Sequence, residues 1–428
     1  MNIIEQGRQF VQSLRALARR SVWDWRRCPR CGGTLTHKHG SYTRRVWFLD
    51  GRRKVAVQRH RCLGCKSTYS EASALLVQGS WYAREVHRCA VDHWQHVGSS
   101  LRRTAEWLRS WVGRQERWRM WRPLDGRRGR AQCRLSASTV QRWLDGAGRR
   151  AQATLKGQLA GVATTGQMGT DGLWARLHGG AKRVVLAVVD GVTGVVWPPV
   201  VATGEESEDG WRQLFRRAKV AGLELHGLYG VTSDGCHGLT AYLRVGLKSV
   251  AHQRCVWHLW RGLARELGQR ASQAAQGLAG EAAKAAREQA RCELVTLMRG
   301  ALDAATYLQA ETILAQLSAH PLGLGLAQAL WDQLDAVLVH LLPCNRGLLR
   351  VAPEWYWRDF RLRLSRGRNH GSADRLERAA LVWAIYRNFT PAQWRSEGKR
   401  HYRHPGLSPL AVAGASPREI CYLDALGL

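Results

Sequence analysis

Four cysteines near the start of the chain constrain its folding more than any other feature. Cys28 and Cys31 form one C-x2-C pair, Cys62 and Cys65 form a second, and 30 residues separate the two pairs. This spacing lets two tight turns present four thiolates to one Zn²⁺ ion in a tetrahedron. Basic and apolar residues alternate from Arg44 to Arg61, which is typical of short strands. We therefore predict a zinc ribbon with a structural metal, because four thiolates leave no coordination position for water.

The charge of the chain indicates a polyanionic partner. Its 65 Lys and Arg residues against 33 Asp and Glu residues give a formal net charge of +32 at pH 7, which favours nucleic acid. Eleven cysteines are an odd number, so a metal site with reduced thiols is favoured over a disulfide framework. The longest apolar stretch, Val184 to Val201, is interrupted by Asp190, and the first residues lack a secretion signal. We expect a cytoplasmic, nucleoid-associated protein without a membrane partner.

A helical segment follows the cysteines. The apolar residues after Tyr82 recur at three- and four-residue steps, which predicts a helix. Ser99 to Leu108 is typical of the first helix of a helix-turn-helix, and Ser136 to Leu144 is typical of its recognition helix. The connection, Arg109 to Arg134, is longer than an ordinary turn and rich in Arg and Trp. The alternative is an ordinary helical pair with a solvated basic face.

The second of these helices contains the predicted DNA-reading residues. Either Ser136 or Ser138 is expected to cap it. Three polar side chains are then placed to reach a DNA groove, and three apolar side chains are expected to pack inward. The polar set is Thr139, Gln141 and Arg142, and the apolar set is Val140, Trp143 and Leu144.

Beyond Arg150 the pattern predicts alternating strands and helices. Three strands linked by Gly-rich turns come first, followed by a helix, a strand, a helix, a short strand and a helix. The strands are predicted at Met168–Leu177, Arg183–Val189, Val195–Val201, Leu228–Asp234 and Ser249–His252. This βββαβαβα order is that of a ribonuclease H-like fold, in which the first and fourth strands are neighbours. Asp171 and Asp234 are therefore expected to approach one another, whereas Asp190 with Gly191 indicates a hairpin turn without chemistry.

Several motifs in this order resemble a mutator-like (MULE-domain) DDE transposase of a bacterial insertion sequence. The resemblance covers roughly residues 165 to 415 and implies a ribonuclease H-like catalytic domain with an all-helical insertion. It also implies that Cys255 and His258 are signature residues, although a buried Cys and a hydrogen-bonded His that organise the fold are an alternative. The motifs are Thr170–Trp174, Val189–Gly194, Thr232–Gly235, Gln253–Leu259, Tyr386–Pro391 and Leu407–Gly414.

The third acid of the resemblance is Glu354. It is followed by two residues, an aromatic residue and Arg358, as in the family, and Arg358 is expected to contact DNA. Relatives have an Asn-rich stretch immediately before this Glu, whereas here Pro343–Arg346 lies about ten residues upstream. Glu377 is the alternative third acid, and a chain without an active third acid is the remaining one.

The resemblance implies a metal-dependent phosphoryl transfer on DNA. Two Mg²⁺ ions, for which Mn²⁺ can substitute, would be held by Asp171, Asp234 and Glu354, because carboxylates are hard oxygen ligands. The partners would be double-stranded DNA, namely terminal inverted repeats and target DNA, and a homo-oligomer would hold two ends together. The alternatives are a decayed or domesticated DNA-binding protein without catalysis and a structure-specific nuclease.

These inferences give a domain plan for the chain. The DNA-binding part precedes a catalytic domain that a helical insertion divides. The plan is a zinc ribbon at 1–80, a helix-turn-helix-like domain at 81–155, a catalytic domain at 156–265 and 343–400, an insertion at 266–342 and a tail at 401–428.

Overall fold

The computed structural model divides the chain into two compact units. The first comprises Met1–Ala151, Leu362–Asn369 and Ile420–Leu428, and the second comprises Gln152–Arg361 and His370–Glu419. The structure describes residues 26–71, 75–112, 133, 135–352, 354–367, 370–391, 406–415 and 421–428, without the side chains of residues 354, 355, 359, 362 and 365–367.

A three-stranded antiparallel sheet follows the first cysteine pair in the first unit. Its strands are β1 (Thr36–Phe48), β2 (Gly51–Cys62) and β3 (Thr68–Ser70), in the order β1-β2-β3. At 13 and 12 residues, β1 and β2 are longer than the short strands predicted from the sequence. Apolar side chains from one face of the hairpin form a small core with Leu76 and Ala83.

The first unit continues with helices α1 (Arg84–Val97) and α2 (Leu101–Val112) and with the start of α3 (Ala137–Leu159). Residues 152–159 of α3 belong to the second unit. Helix α1 ends at Gly98, whose positive φ of 63° suits glycine. Most of the connection between α2 and α3, including 113–132, lies outside the described residues.

Helix α3 follows its sequence prediction with one correction. The Ser136 hydroxyl accepts a hydrogen bond from the Thr139 amide at 3.3 Å, so Ser136 is the cap and Ser138 lies inside the helix. Val140 and Leu144 are buried as predicted. Trp143 is only partly buried, because its ring stacks on His87 with 3.9 Å between centroids instead of entering the core.

The last described residues also belong to the first unit. They contain helix α14 (Tyr422–Ala425), which α1 holds through arginines. Arg88 is 1% exposed and donates to Asp424 at 2.7 Å and to the main-chain oxygen of Leu428 at 2.6 Å. This buried ion pair neutralises Arg88 within the protein.

The second unit is built on a mixed five-stranded sheet. The strands are β4 (Gln167–Arg176), β5 (Lys182–Asp190), β6 (Val200–Thr203), β7 (Gly230–Ser233) and β8 (Ala251–Arg254), in the order β6-β5-β4-β7-β8. Strands β4, β5 and β6 form an antiparallel meander, whereas β7 and β8 pair in parallel. The first and fourth strands of this unit are therefore neighbours, as the element order predicts.

The third strand starts later than predicted. Val196 forms only an isolated bridge with Val189, and β6 begins at Val200. Pro198 and Pro199 lie between these positions, and proline has no N–H to donate to a sheet. The predicted strand at Val195–Val201 is wrong in its first five residues for this reason.

Helices surround this sheet in the predicted order. Helix α4 (Glu208–Val220) precedes β7, α5 (His237–Gly246) precedes β8, and a helical region follows β8. That region packs its own apolar core, formed by leucines of several helices together with Met298. Its helices are α6 (Val256–Gln273), α7 (Gly280–Leu302), α8 (Tyr307–Ala319), α9 (Leu324–Trp331) and α10 (Leu334–Val337).

The remaining helices are α11 (Glu354–Gly367), α12 (Ala373–Phe389) and α13 (Pro409–Val412), and short 3-10 turns occur at Leu225–Gly227, Val339–Leu341 and Pro343–Asn345. Helix α12 is fixed to the second unit by Asn388, whose amide exchanges two 2.8 Å hydrogen bonds with the backbone of Val196. Across the described residues, no helix is both long and apolar enough to cross a bilayer.

Candidate metal centre and acidic strand-end site

The four predicted cysteines converge in the first unit. The sulfur atoms of Cys28 and Cys65 lie 3.5 Å apart, those of Cys31 and Cys62 lie 3.6 Å apart, and all four lie within 4.8 Å of one another. A tetrahedral Zn²⁺ site with Zn–S bonds of about 2.3 Å requires sulfurs about 3.8 Å apart. The cluster can therefore hold a structural metal such as zinc.

Backbone hydrogen bonds form the turns that carry these thiols, and the Ser67 hydroxyl contacts two of them. The Cys28 amide donates to Gly33 O at 2.8 Å, and the Cys62 amide donates to Ser67 O at 3.0 Å. The Ser67 hydroxyl lies 2.9 Å from Cys65 Sγ and 3.3 Å from Cys28 Sγ. Hydrogen bonding by Ser67 lowers the pKa of Cys28 to about 6. Thiolate is the metal-binding form of cysteine, so this contact favours metal binding.

Asp171 and Asp234 occupy equivalent positions on neighbouring parallel strands. The last paired residues of β4 and β7 are Gly169 and Thr232, and each aspartate lies two residues further along. Asp171 is 6% exposed, and Asp234 is partly exposed. One oxygen of Asp234 accepts a hydrogen bond from the Cys236 amide at 3.0 Å. The register places Asp171, in the middle of β4, beside the end of β7, which Asp234 follows. We call this region of the sheet the acidic edge.

Glu206 joins this edge and was not found from the sequence. It lies between β6 and α4, and its ligand atom clusters with those of Asp234 and Cys236 within 4.8 Å. Its Oε1 accepts a 3.1 Å hydrogen bond from the Trp174 indole. Its Oε2 is buried and has no hydrogen-bond partner among the described residues. Burial raises the pKa of Glu206, and the charge of Asp234 raises it further.

A glycine makes room for this carboxylate. A Cβ added to Gly172 would lie 2.5 Å from Glu206 Oε1 and 2.7 Å from Glu206 Cδ. Successive residues of a strand face opposite sides of the sheet, and the register of β4 is regular through Asp171 and Gly172. Glu206 therefore packs on the face of β4 opposite the Asp171 side chain. Asp171 is not part of the cluster that Glu206, Asp234 and Cys236 form.

The thiol of Cys236 completes the cluster as a neutral group. Burial raises its pKa, and the charges of Asp234 and Glu206 raise it further. A protonated thiol beside two carboxylates can donate a hydrogen bond to Glu206. Cys236 therefore contributes a proton rather than a third negative charge.

Asp190 differs from these acids in its hydrogen bonding. Its side chain is fully buried and accepts from the amide of Thr165 at 2.8 Å, from that of Val192 at 3.0 Å and from that of Thr193 at 2.9 Å. The Thr165 hydroxyl donates to it as well. Asp190 thus organises the turn after β5, as predicted.

Cys255 fixes the segment that leads to Glu354. Its Sγ accepts a 3.2 Å hydrogen bond from the Ala352 amide, and the next amide, Val256, donates to Arg350 O at 2.9 Å. The Thr232 hydroxyl donates to Leu349 O at 2.5 Å. Residues 349–352 are thus bound along the ends of β7 and β8. Glu354 is the first residue of α11, and its side chain lies outside the described residues.

The other signature residue lies near the acids. The charge of His258 lowers the pKa of Glu206, which is a smaller effect than that of burial. Glu377, the alternative third acid, forms an ion pair with Arg217 at 2.7 Å and accepts from the Val201 amide at 3.3 Å. These contacts tie Glu377 to β6 and α4. Arg358 is exposed on α11.

The predicted DNA-reading side chains of α3 separate into two groups. Arg142 is exposed and donates to the Thr139 hydroxyl at 3.2 Å. Both residues line a groove of the first unit. The Gln141 amide donates to Asp145 at 3.1 Å and does not line that groove.

Comparison with known families identifies part of the second unit. Residues 181–278 match the model described as Transposase, Mutator family. The match runs from the start of β5 to just beyond α6 and includes Glu206, Asp234 and Cys255, whereas Asp171 and Glu354 lie outside it. No curated protein matches the chain. The predicted resemblance to a mutator-like transposase is confirmed by this match.

Proposed function

Because residues 181–278 match the model of Mutator-family transposases, we propose that this chain is a DNA transposase that binds terminal inverted repeats and catalyses metal-dependent strand cleavage and strand transfer. The observation that carries the proposal is the acidic edge of the sheet. Asp171 and Asp234 occupy equivalent positions there, and Glu206 clusters with Asp234. On a chain of net charge +32, acids so placed are suited to a cation that acts on a polyanion.

We infer a ribonuclease H-like fold for the second unit. The strand order β6-β5-β4-β7-β8 supports this inference, because the first strand of the unit lies between the second and the fourth. In open sheets, ligands bind at the carboxyl ends of parallel strands. Asp234 follows such an end, that of β7.

The donor set of the acidic edge fits a divalent cation. Mg²⁺ prefers carboxylate oxygens, and Glu206 Oε2 is a buried oxygen without a hydrogen-bond partner in the described part of the chain. Burial raises the pKa of Glu206 and the charge of Asp234 raises it further, so a cation at this position would favour the charged carboxylate. Asp171, Asp234 and Glu354 would hold two Mg²⁺ ions, which would stabilise the attacking and leaving oxygens of an in-line phosphoryl transfer.

The protein residues would have separate roles in the reaction. Asp171 and Asp234 provide negative charge from the rigid strands, which fixes their positions. Cys255 holds the Ala352 amide, and Glu354 follows two residues later. Because successive Cα atoms are about 3.8 Å apart, the Glu354 Cα lies within about 7.6 Å of the Ala352 Cα. Arg358, one turn further along α11, would contact a DNA phosphate.

DNA recognition would belong to the first unit. The zinc ribbon and helices α2 and α3 would bind the terminal repeats, with Thr139, Gln141 and Arg142 as the reading residues. Two ends must be held together for joining, so the active form would be a homo-oligomer. The exposure of Arg142 at the start of α3 supports this assignment.

Cleavage of a labelled duplex made from the DNA that flanks the gene tests the proposal. We expect Mg²⁺-dependent cleavage and joining by the wild type. Asp171→Asn, Asp234→Asn and Glu354→Gln should each reduce cleavage at least about a hundredfold while binding is retained. Asp209→Asn is the matched control, because this acid is 95% exposed on α4 and should cleave normally.

The remaining outcomes discriminate between the alternatives. Binding without cleavage by the wild type would indicate a non-catalytic DNA-binding protein. Normal cleavage by Glu354→Gln together with loss in Glu377→Gln would transfer the third acid to Glu377. Normal cleavage by Asp171→Asn would reject the acidic edge as the reaction site.

A further inference from the structure

A groove in the first unit has the chemistry of a binding site. Its volume is about 1060 Å³, at the upper end of the roughly 300–1,000 Å³ of small-molecule pockets. It is lined by Trp47 of β1, Arg52 of β2 and residues 76–82, which adjoin β1 through the bridge between Trp47 and Tyr82. The first half of α3 also lines it. Gly427 and Leu428 also line it.

The α3 wall is one face of the helix. The residues that line the groove recur at three- and four-residue steps, which is the spacing of one helical face. They are Thr139, Arg142, Trp143, Gly146, Arg149 and Arg150. Because Arg142 and Arg149 are exposed on this face, their guanidinium groups are available to a ligand in the groove.

The charge of the groove is strongly positive. Five arginines line it, and no Asp or Glu occurs among the described residues of its lining; the arginines are Arg52, Arg84, Arg142, Arg149 and Arg150. Burial lowers the pKa of Arg150, and the charges of Arg84 and Arg149 lower it further. The pKa of the His87 imidazole, in the floor, falls to about 3 through burial and then through Arg150 and Arg84. A polyanion in the groove would relieve this like-charge repulsion.

An aromatic side chain lies beside these cations. Trp81 is 66% exposed and lines the groove, whereas its backbone carbonyl is fixed by a 2.8 Å hydrogen bond from the Trp47 amide. Large exposed aromatic rings beside a basic groove are suited to stacking on unpaired bases. The fixed backbone means that the position of this ring is set by the sheet.

We propose that this groove binds one unpaired strand of DNA, with the arginines on its phosphates and Trp81 stacked on a base. The proposal rests on the proposed function for the identity of the polyanion. It adds a single-strand site that lies between the cysteine-containing sheet and α3. Such a site would hold a strand end exposed by cleavage.

Fluorescence anisotropy with a labelled 12-nucleotide single strand of mixed sequence tests the groove on the full zinc-loaded chain. Arg142→Gln with Arg149→Gln should weaken binding roughly tenfold per arginine. It should also reduce the slope of log K against log salt by about 1.4, at about 0.7 per phosphate. Trp81→Ala should weaken binding about 10- to 100-fold and leave the salt slope unchanged.

Matched controls come from the second unit, on helices that are not assigned to DNA binding. Arg287→Gln with Arg291→Gln removes two exposed charges of α7, and Trp257→Ala removes a ring of α6 that is 39% exposed. Zinc content and circular dichroism establish that each variant is folded. Equal losses in the control and groove variants would overturn the proposal, because net charge alone would explain them.

Two further results separate this site from the proposed function. A groove variant that weakens duplex binding and leaves single-strand binding intact would overturn the single-strand assignment. If the wild type does not cleave DNA and the groove variants still lose single-strand binding, the transposase proposal fails while the groove proposal stands. If cleavage depends on Asp171 and the groove variants bind the single strand normally, the transposase proposal stands and the groove proposal fails.

Discussion

The cysteine cluster and the acidic edge are two groups of residues that could hold metal ions, and the chain assembles them in opposite ways. The cysteines come from two short turns whose ligands are spaced by two residues, and the hairpin between the turns brings them together. The acids come from β4, from the turn before α4 and from the end of β7, which are separated by long stretches of chain. A local arrangement is visible in the sequence, whereas a distant arrangement depends on sheet register.

The two sites also differ in what happens without a cation. In the cysteine cluster, hydrogen bonding by Ser67 lowers the pKa of Cys28 to about 6, which favours the thiolate form that binds a metal. At the acidic edge, burial raises the pKa of Glu206 and the charge of Asp234 raises it further, and Glu206 Oε2 lacks a hydrogen-bond partner among the described atoms. We therefore expect cation binding to stabilise the folded state around the cysteine cluster and to relieve the repulsion between Glu206 and Asp234 at the acidic edge.

Loss of a cysteine should have the largest effect. Cys62→Ser removes one of four thiolates, and structural Zn²⁺ contributes about 10–16 kcal/mol to small metal domains. We expect zinc content to fall from one per chain to nearly none and the thermal transition of the first unit to disappear. Cys292→Ser is the control, because Cys292 is exposed on α7. Retention of zinc by Cys62→Ser would break the comparison, since the metal would then be bound elsewhere.

Asp190 and Asp234 provide the next test. Asp190→Asn weakens a carboxylate that accepts several charge-assisted hydrogen bonds, each worth about 1.5–3 kcal/mol. We expect a loss of about 3 kcal/mol in unfolding free energy, measured by urea denaturation. Asp234→Asn should change stability by less than about 0.5 kcal/mol and should affect only activity. Equal destabilisation by both would mean that Asp234 is also a structural acid.

These residues show how far the sequence could predict the site. The spacing of four cysteines is sufficient to predict their cluster, and the strand pattern is sufficient to predict that β4 and β7 are neighbours. Glu206 could not be predicted, because its turn has no regular period and its contact with Gly172 depends on side-chain packing. Pro198 and Pro199 could have predicted the late start of β6, because proline has no N–H to donate to a sheet. The apolar residues around them favoured the longer predicted strand.

The pH dependence of Glu206→Gln should sharpen the comparison further. The folded-state pKa of Glu206 is raised, so this group favours folding at low pH and loses that contribution as pH rises through its folded pKa. The variant should therefore become more stable than the wild type as pH increases from 4 to 8. Thermal denaturation at several pH values measures this difference.

Mg²⁺ provides the control for the same experiment. At neutral pH the ion should raise the melting temperature of the wild type more than that of Glu206→Gln, because binding to the folded state stabilises it. A pH-independent difference between the two proteins, or an equal response to Mg²⁺, would show that Glu206 does not belong to a cation site.

The smallest effects concern two glycines. Gly172→Ala places a methyl group against the Glu206 carboxylate, whose oxygen would lie 2.5 Å away. Because the contact is with the end of a flexible side chain, the free energy of unfolding should fall by at most about 3 kcal/mol. The Glu206 carboxylate should move, and the cleavage rate should fall severalfold. Gly157→Ala is the matched control: it lies exposed in α3 with no atom within 4 Å of the added methyl and should stabilise the chain by about 0.5–1 kcal/mol. If Gly172→Ala cleaves as fast as Gly157→Ala, the position of Glu206 does not matter to the reaction, and catalysis at the acidic edge would depend on Asp171 and Asp234.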